Sequence, residues 1–472
     1  MTNTKSTPRW VLALTATASF MVALDALVVA TALSAMRTDL GATIGQLEWT
    51  VNAYLLSFAV LMMTASALGD RLGRRRLFTA GLALFAASSA GCALAPDVHW
   101  LIVARTVQGA GAALVMPLGL ALLSAAFPDE RRRGALAILS SVTGLSVLCG
   151  PLVGGAVVQG ISWQWVFWLN VPIAAVLIVL AHARIDESRG PSTAIDGAGL
   201  VLVTGAALGL VWGLVRADSA GWTSDEVLGA LALGLALGAA FVAWELRTHA
   251  PMLPLRLFGS RSFSAGNAAA FLWSASLLGT LFLVTQFLQA ALGYGPVAAG
   301  LALMPWGAAV FVAPLFAPRL MALVGDRAMV AGGLTIQAAA TAWIALIADP
   351  HLPYWQMVAP LAIAGAGFAL AMPSIQGSVM GAVGPEIIGG ASGTLSTLRQ
   401  LGSAFGVAIA AAVFTGSGGY GSAASFNDGF IAAIGACAGL SLLGALAGLA
   451  LPVRVAVPGL HRTATEAASI AR

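Results

Sequence analysis

Asp25 sits near the middle of a long apolar run from Trp10 to Met36, and no other of the nineteen acidic residues is so placed. About 20 apolar residues suffice to cross a bilayer, so this run is long enough to span one. A carboxylate at that depth costs about 2.5 to 3.5 kcal/mol on insertion scales, and it marks a proton or cation site in a transporter or answers a buried partner. Arg105 and Arg399 also lie inside apolar runs. A guanidinium keeps its charge, so each must find carboxylate, carbonyl or water partners, which a water-filled central cavity supplies; a structural clamp between helices is the alternative use. Bond-breaking chemistry has no comparable candidates: there is no Ser/His or paired-Asp arrangement, no phosphate-binding glycine loop and no pair of histidines at helical spacing. Cys92, Cys149 and Cys437 sit in apolar segments without metal-ligand spacing and read as packing residues. Neither an enzyme, a metal site nor a cofactor is expected.

The elements that hold these charges are membrane spans. Hydrophobic residues make up 59% of 472 positions, charged residues 9% and mean hydropathy is +0.91, whereas soluble domains carry about 25% charge. The 55 glycines are far above the usual share of roughly 7%, as expected where small residues let membrane helices approach closely. Apolar runs between charged breaks give fourteen spans, at 10–35, 47–69, 77–95, 99–124, 134–160, 165–182, 197–215, 227–246, 263–292, 297–320, 328–348, 355–380, 390–415 and 428–451. An even number puts both termini on one side. Nineteen of the 23 basic residues fall on that side, Arg37 and Arg216 fall opposite, and Arg105 and Arg399 are within spans, which predicts cytoplasmic termini. The pI near 9.3 then reflects insertion topology and contact with anionic lipid, and gives no case for nucleic-acid binding. Lys5, Arg9 and Ala30-Thr31-Ala32 imitate a secretion signal, but the apolar run between them is too long and is interrupted by Asp25, so a retained first helix is expected. No polar connection is long enough to fold alone.

The connection after the second span reads Ser66-Ala67-Leu68-Gly69-Asp70-Arg71-Leu72-Gly73-Arg74-Arg75-Arg76. Gly73 permits a tight turn, and Asp70 can cap the following helix or accept from a neighbouring arginine, making a latch; Arg75 and Arg76 serve equally well as topological anchors. This stretch resembles the loop signature of the major facilitator superfamily, G-x-L-x-D-R-x-G-R-R, with Ser66 at the usual first glycine. Leu24-Asp25-Ala26-Leu27-Val28-Val29 is similar to the first-helix signature of its fourteen-helix drug/proton antiporters, although a threonine usual at Leu27, an asparagine at Ala30 and a proline at Ser34 are absent. Arg105-Thr106-Val107-Gln108-Gly109-Ala110-Gly111 resembles the R-x-x-Q-G-x-G element, whose arginine is associated with proton transfer. Gly144 and Gly150-Pro151-Leu152-Val153-Gly154-Gly155 look like the signature that marks exporters. The stretch from Trp163 through Asn170 to Pro172 resembles the start of the sixth helix, with Gln164 where arginine is common, and Gly390-Ala391-Ser392-Gly393, Arg399-Gln400 and Gly402 resemble the thirteenth.

The resemblance implies an all-α integral membrane protein with the major facilitator fold: a six-helix bundle at 10–182, two additional helices at 197–246 and a second bundle at 263–451. A weaker loop, Gly325-Asp326-Arg327, echoes the one around Asp70 and suggests that the bundles are related repeats. Asp25 and Arg105 are then expected in proton coupling, and Asp70, Arg71, Gly73, Arg74 and Arg75 in a conformational latch. Gly144, Gly150, Pro151, Gly154 and Gly155 are expected to form a tight helix seal, since Gly150 and Gly154 share one helix face and Pro151 bends it. Asn52, Tyr54, Gln108, Gln286, Gln289, Arg399 and Gln400 are candidates for the central cavity. The expected activity is proton-driven export of amphipathic drugs or antibiotics across the cytoplasmic membrane, with a self-made antibiotic or amino acid as the other class of cargo. The only energy source is the proton gradient, and a monomer in the bilayer is expected.

Overall fold

The structure is a computed structural model that describes residues 8–190, 196–249, 251, 253, 255–384 and 388–452. Its regular elements are all helical among these residues. The first group is α1 (Pro8–Leu40), α2 (Ile44–Leu72), α3 (Arg74–Ala93), α4 (Val98–Ala126), α5 (Asp129–Gly160), α6 (Trp165–Trp168) and α7 (Asn170–Arg184). A pair follows, α8 (Gly197–Ala220) and α9 (Asp225–Glu245). The last group is α10 (Arg261–Gln286), α11 (Pro296–Ala302), α12 (Met304–Val312), α13 (Ala317–Ile347), α14 (Trp355–Met380), α15 (Ile388–Ser417) and α16 (Ala423–Leu449). Helix starts are set by polar side chains that take up orphan amides: Thr43 and Gln46 form a capping box on α2, and Asp97, Ser224, Ser260 and Ser422 cap α4, α9, α10 and α16.

Among the described residues, twelve helical segments are long and apolar enough to cross a membrane, and thirteen if α2, bent by 51° between Met62 and Thr64, counts as one span. The remaining expected span, 134–160, lies within the 32-residue helix α5, so each stretch read as a span from the sequence is covered by helix. Prolines break the tenth expected span into α11, α12 and a 3-10 turn Ala313–Leu315, with Pro296, Pro305 and Pro314 each at the start of a piece, where a missing N–H is tolerated. The eleventh is the part of α13 beyond a break at Gly325, φ +78°, and the part before that break continues the tenth. Gly73, φ +115°, makes the equivalent break between α2 and α3. Both are left-handed positions that favour glycine, and they make the echo between the two loops a structural one.

Within the first group α2 and α3 pack on α4, α1 on α5 and α3 on α7; within the last, α13 packs on α14 and α16, and α10 on α15 and α16. The pair α8–α9 packs on itself, with α8 also lying against α2 and α15. The two bundles meet through α2 and α15, through α5 with α11 and α12, and through α1 with α10. The hydrogen bonds described between bundles all lie in the half opposite the termini. Ser34 Oγ donates to Gln286 Oε1 at 3.3 Å, Gln289 Nε2 to the Thr31 carbonyl at 3.1 Å, and the Val297 amide to Gln159 Oε1 at 3.1 Å. On the same side the Arg37 guanidinium lies 4.0 Å from the centre of the Tyr420 ring. Burial holds the Tyr420 phenol above its ordinary range while Arg37 pulls it down, so the ring stays neutral and this contact is cation–π rather than an ion pair.

The glycine seal divides in two. A Cβ on Gly150 would lie 2.7 Å from Leu27 Cβ, and one on Gly154 would overlap Thr31 Oγ1, so these two glycines seat α1 against α5 inside one bundle. Gly155 faces the other bundle, where a Cβ would overlap the Pro296 carbonyl, and Gly300 reciprocates against the Pro151 carbonyl. The surroundings of Gly144 lie outside the described residues. Backbone meets backbone between α5 and α11, which leaves no side-chain layer to slide.

The turn at Gly73 is held from a distance. Arg74 Nε donates to Asp70 Oδ1 at 2.7 Å, so Asp70 grips the following helix through a side chain rather than capping it. Capping falls to Glu187, beyond α7, whose carboxylate accepts from the Arg75 and Arg76 amides at 2.9 and 3.2 Å and lies 3.8 Å from both guanidinia. Arg75 also donates to the Ile185 carbonyl at 3.1 Å. Arg71 makes no described side-chain bond.

Two outcomes are expected. Glu187→Ala removes the cap of α3, a loss of about 1 kcal/mol, and amide hydrogen exchange at Arg75 and Arg76 accelerates roughly fivefold; unchanged protection would assign the start of α3 to its own backbone. Gly155→Leu forces α5 from α11, and overpacking of about 1 to 3 kcal/mol shifts the bundles apart on that side. Spin labels at Thr38 and Gly421, with native cysteines replaced, would report a longer distance; an unaltered distance distribution would remove Gly155 from the seal.

Candidate functional site

Asp25 is 3% exposed, and its carboxylate is enclosed by three donors from two helices. Arg105 Nη1 on α4 donates to Oδ2 at 2.6 Å, Gln108 Nε2 on the next turn donates to Oδ1 at 2.9 Å, and Asn170 Nδ2 at the start of α7 donates to the same Oδ1 at 2.7 Å. Ser89 Oγ on α3 accepts from Gln108 Nε2 at 2.6 Å and from Asn170 Nδ2 at 3.2 Å, fixing both amides. Arg105, 1% exposed, also donates from Nη1 to Gln108 Oε1 at 2.7 Å and from Nε to the Thr50 carbonyl at 3.0 Å. Its guanidinium carbon lies 4.2 Å from the centre of the Tyr54 ring, and the Tyr54 hydroxyl donates to the Val22 carbonyl at 3.3 Å. A buried pair is tolerable when geometry is good and further hydrogen bonds support it, and here the two amides and the Thr50 carbonyl supply them. All three partners of the carboxylate are donors: both amides use Oδ1 and the guanidinium holds Oδ2, so a proton on Oδ1 displaces an amide and one on Oδ2 removes the charge that Arg105 pairs with.

Local sequence explains the convergence. Arg105 and Gln108 are one turn apart on α4 and share a face. The break between α6 and α7 at Leu169 starts a new helix at Asn170, which brings that amide inward toward α1. Close passage of α3 and α4 brings Ser89 into reach: a Cβ on Gly111 would lie 2.8 Å from the Phe85 amide nitrogen, and one on Gly81 would lie 3.2 Å from the Gly111 carbonyl oxygen.

The second bundle repeats this crossing without the charges. A Cβ on Gly333 would lie 2.8 Å from the Gly367 carbonyl oxygen, and one on Gly367 would lie 2.7 Å from the Gln337 amide nitrogen. Leu361 and Ala364 precede Gly367 by the same intervals at which Arg105 and Gln108 precede Gly111, and Thr341 follows Gly333 as Ser89 follows Gly81. Leu361, Ala364 and Thr341 line a small cavity with Leu277 and Trp306, about 10 Å³ in volume, enough for about one water. No acid or arginine lines it.

The structure therefore gathers Asp25, Arg105, Gln108 and Tyr54 into one centre, and moves Tyr54 and Gln108 from the expected central cavity into the interior of the first bundle. Gln286 and Gln289 bridge the bundles; Gln289 also lines an open cavity of about 410 Å³ with Ser34, Arg37 and Tyr420. Asn52 is fully buried in α2 with neither amide atom hydrogen-bonded. Gln400 is half-buried on α15. Arg399, on the same helix, stands apart from the Asp25 centre, 5.4 Å from the centre of the Trp273 ring. Sequence reasoning misses Ser89 and Glu187, and it gives Asn170 no role of its own; an amide inside an apolar run just before Pro172 is the signal that was available.

Comparison with known proteins agrees with this architecture. The chain is 34% identical to a methylenomycin A resistance protein of Streptomyces coelicolor, over 87% of each chain, and 36% identical to a cephamycin export protein of Amycolatopsis lactamdurans, over 91% of this chain and 90% of that one. It is 35% identical to a tetracenomycin C resistance and export protein of Streptomyces glaucescens, over 82% and 72% respectively. Among solved structures, a POT family transporter superposes with a TM-score of 0.67 at 14% identity, covering 92% of this chain and 94% of that one. The nucleoside transporter NupG gives 0.66 at 14% identity, over 94% and 100%. The family model described as Major Facilitator Superfamily matches residues 15–407, and this chain belongs to that superfamily, as a multi-pass membrane transporter of small molecules.

Proposed function

We propose that the protein is a proton-coupled antiporter that exports small amphipathic drugs or antibiotics across the cytoplasmic membrane, with both termini cytoplasmic and a single chain as the working unit. The observation that carries this reading is the Asp25 centre: the one acid at mid-span is closed in by three donors, and taking up a proton removes the negative charge that holds them. One elementary charge moving through the membrane potential is worth about 2.3 kcal/mol per 100 mV, comparable to the difference between transporter conformations. The named relatives are resistance and export proteins for antibiotics, which supports outward movement of such compounds. They equally support a self-made antibiotic as cargo.

The contacts between bundles lie opposite the termini, so with cytoplasmic termini the conformation is shut toward the outside. Asp25, with all its partners donating, fits the deprotonated state that would accept cargo from the cytoplasm. Binding of a proton from the outside then releases Arg105 or one of the amides and favours the alternative arrangement. The two bundles rock about the midplane, with α8 and α9 as an accessory pair, and the loop from Asp70 to Arg75 latches one arrangement.

Asp25→Asn keeps the shape and removes the titratable group. In everted vesicles, efflux driven by an imposed proton gradient is expected to fall to background with the protein still inserted; normal pH-dependent efflux by this variant would place the proton elsewhere. Asp70→Asn, remote from that centre, is expected to slow turnover while cargo affinity stays at the wild-type value, as measured by binding to purified protein. Equal loss of both would make Asp70 a residue of the fold.

A further inference from the structure

Arg105 and Arg399 are both intramembrane arginines, and their surroundings differ in one decisive way. Arg105 has a carboxylate, an amide, a carbonyl and an aromatic face. Arg399 has only the aromatic face: its Nε is buried without a hydrogen-bond partner, and no described carboxylate comes within ion-pair distance. The single negative charge at mid-span is already matched by Arg105. Glu48 and Glu245, the other buried acids among the described residues, lie toward the ends of α2 and α9 and form no ion pair with Arg399. Of the two intramembrane arginines, Arg399 is thus the one with no described carboxylate to neutralise it.

The platform beneath Arg399 is rigid. Trp273 donates its indole N–H to the Phe368 carbonyl at 3.0 Å and stacks on the Phe368 ring with centroids 4.2 Å apart. This fixes the indole plane that faces the guanidinium. We infer that Arg399 is the recognition point for an anionic group on the transported molecule, with the Trp273 face as the adjoining surface for its apolar, aromatic body; the preferred cargo is an amphiphilic carboxylate or comparable anion. This deepens the export reading above and rests on it for the word cargo. A guanidinium in a low-dielectric site gains most from a planar anion that takes two of its N–H groups. An amphiphilic cation would meet an unneutralised positive charge there, and Asp25 is already occupied by three donors.

Three probes on one scaffold separate the alternatives: pyrenebutyrate, its methyl ester and the corresponding trimethylammonium compound. Binding is measured by fluorescence to the full chain in lipid nanodiscs, with empty nanodiscs subtracted. The wild type is expected to bind the carboxylate about tenfold more tightly than the ester, and the cation more weakly than either. Arg399→Gln should bring the carboxylate down to the ester's affinity and leave the ester unchanged, whereas Arg399→Lys should keep a reduced preference for the carboxylate. A wild type that prefers the ester or the cation overturns the inference, and so does a carboxylate preference that survives in Arg399→Gln. Because binding needs no gradient, these outcomes are independent of proton coupling: failure of an imposed gradient to move any probe would count against antiport alone.

Discussion

An ionised carboxylate in the middle of a membrane helix has to be matched by donors, and the polar interior of the first bundle is organised by that requirement. Asp25 draws Arg105 and Gln108 from α4 and Asn170 from α7, while Ser89 on α3 holds the two amides in place. Each partner has its own structural precondition. The amide of Asn170 reaches inward because the sixth span restarts there, and Ser89 reaches because glycines let α3 and α4 cross at backbone distance. Removing one partner of such a buried pair costs about 3 to 5 kcal/mol, more than a loop change usually does, so the centre and the helix crossings support one another.

The second bundle keeps the crossing and discards the charges. Gly333 and Gly367 reproduce the close approach of Gly81 and Gly111, yet Leu361 and Ala364 stand where Arg105 and Gln108 would be. A bundle of this kind can be related by ancestry to the first and still do different work. Its interior is packed by stacked aromatics, Trp273 on Phe368 and Phe287 on Phe430, and Arg399 lies over the Trp273 ring with no acid among the described residues to neutralise it. On the functions proposed above, proton handling and cargo recognition fall to different halves of the molecule.

Much of this was legible in the sequence, for reasons that differ by residue. Asp25 and Arg105 stand out because charge inside an apolar run is expensive, and Gly73 because the arginines around it mark a loop at the membrane surface. The fold class follows from hydropathy and motif order. The seal was legible only in part: glycines at one helix face announce a close approach but not its partner, and Gly155 rather than Gly154 turns out to face the other bundle. Glu187 was hidden because a cap supplied from a distant linker leaves no local pattern. Tyr54 and Gln108 were assigned to a cavity because a polar residue in a span looks alike whether it lines water or satisfies a buried charge. The bend in α2 and the breaks at Gly325 and before Pro305 are hidden by the same locality, since they depend on neighbours as much as on the residues themselves.

The element that joins these parts is α1. Its Asp25 is bonded to α4 and α7, and within three further turns the same helix gives Thr31 to Gln289, Ser34 to Gln286 and Arg37 to Tyr420 across the boundary between bundles. Gly150 and Gly154 leave α5 so close to Leu27 and Thr31 that α1 cannot rotate there without carrying α5 with it. And α5 is itself interlocked with α11 at Gly155 and Gly300. Any rearrangement that frees the carboxylate for a proton must shift α1 against α4 and α7, because a group only 3% exposed has no direct path to water. That shift acts on three side-chain contacts and one backbone seam at the boundary between the bundles. The packed interior is not continuously deformable, so on the proposed mechanism a change at one carboxylate is passed along a single helix to the contacts between the bundles.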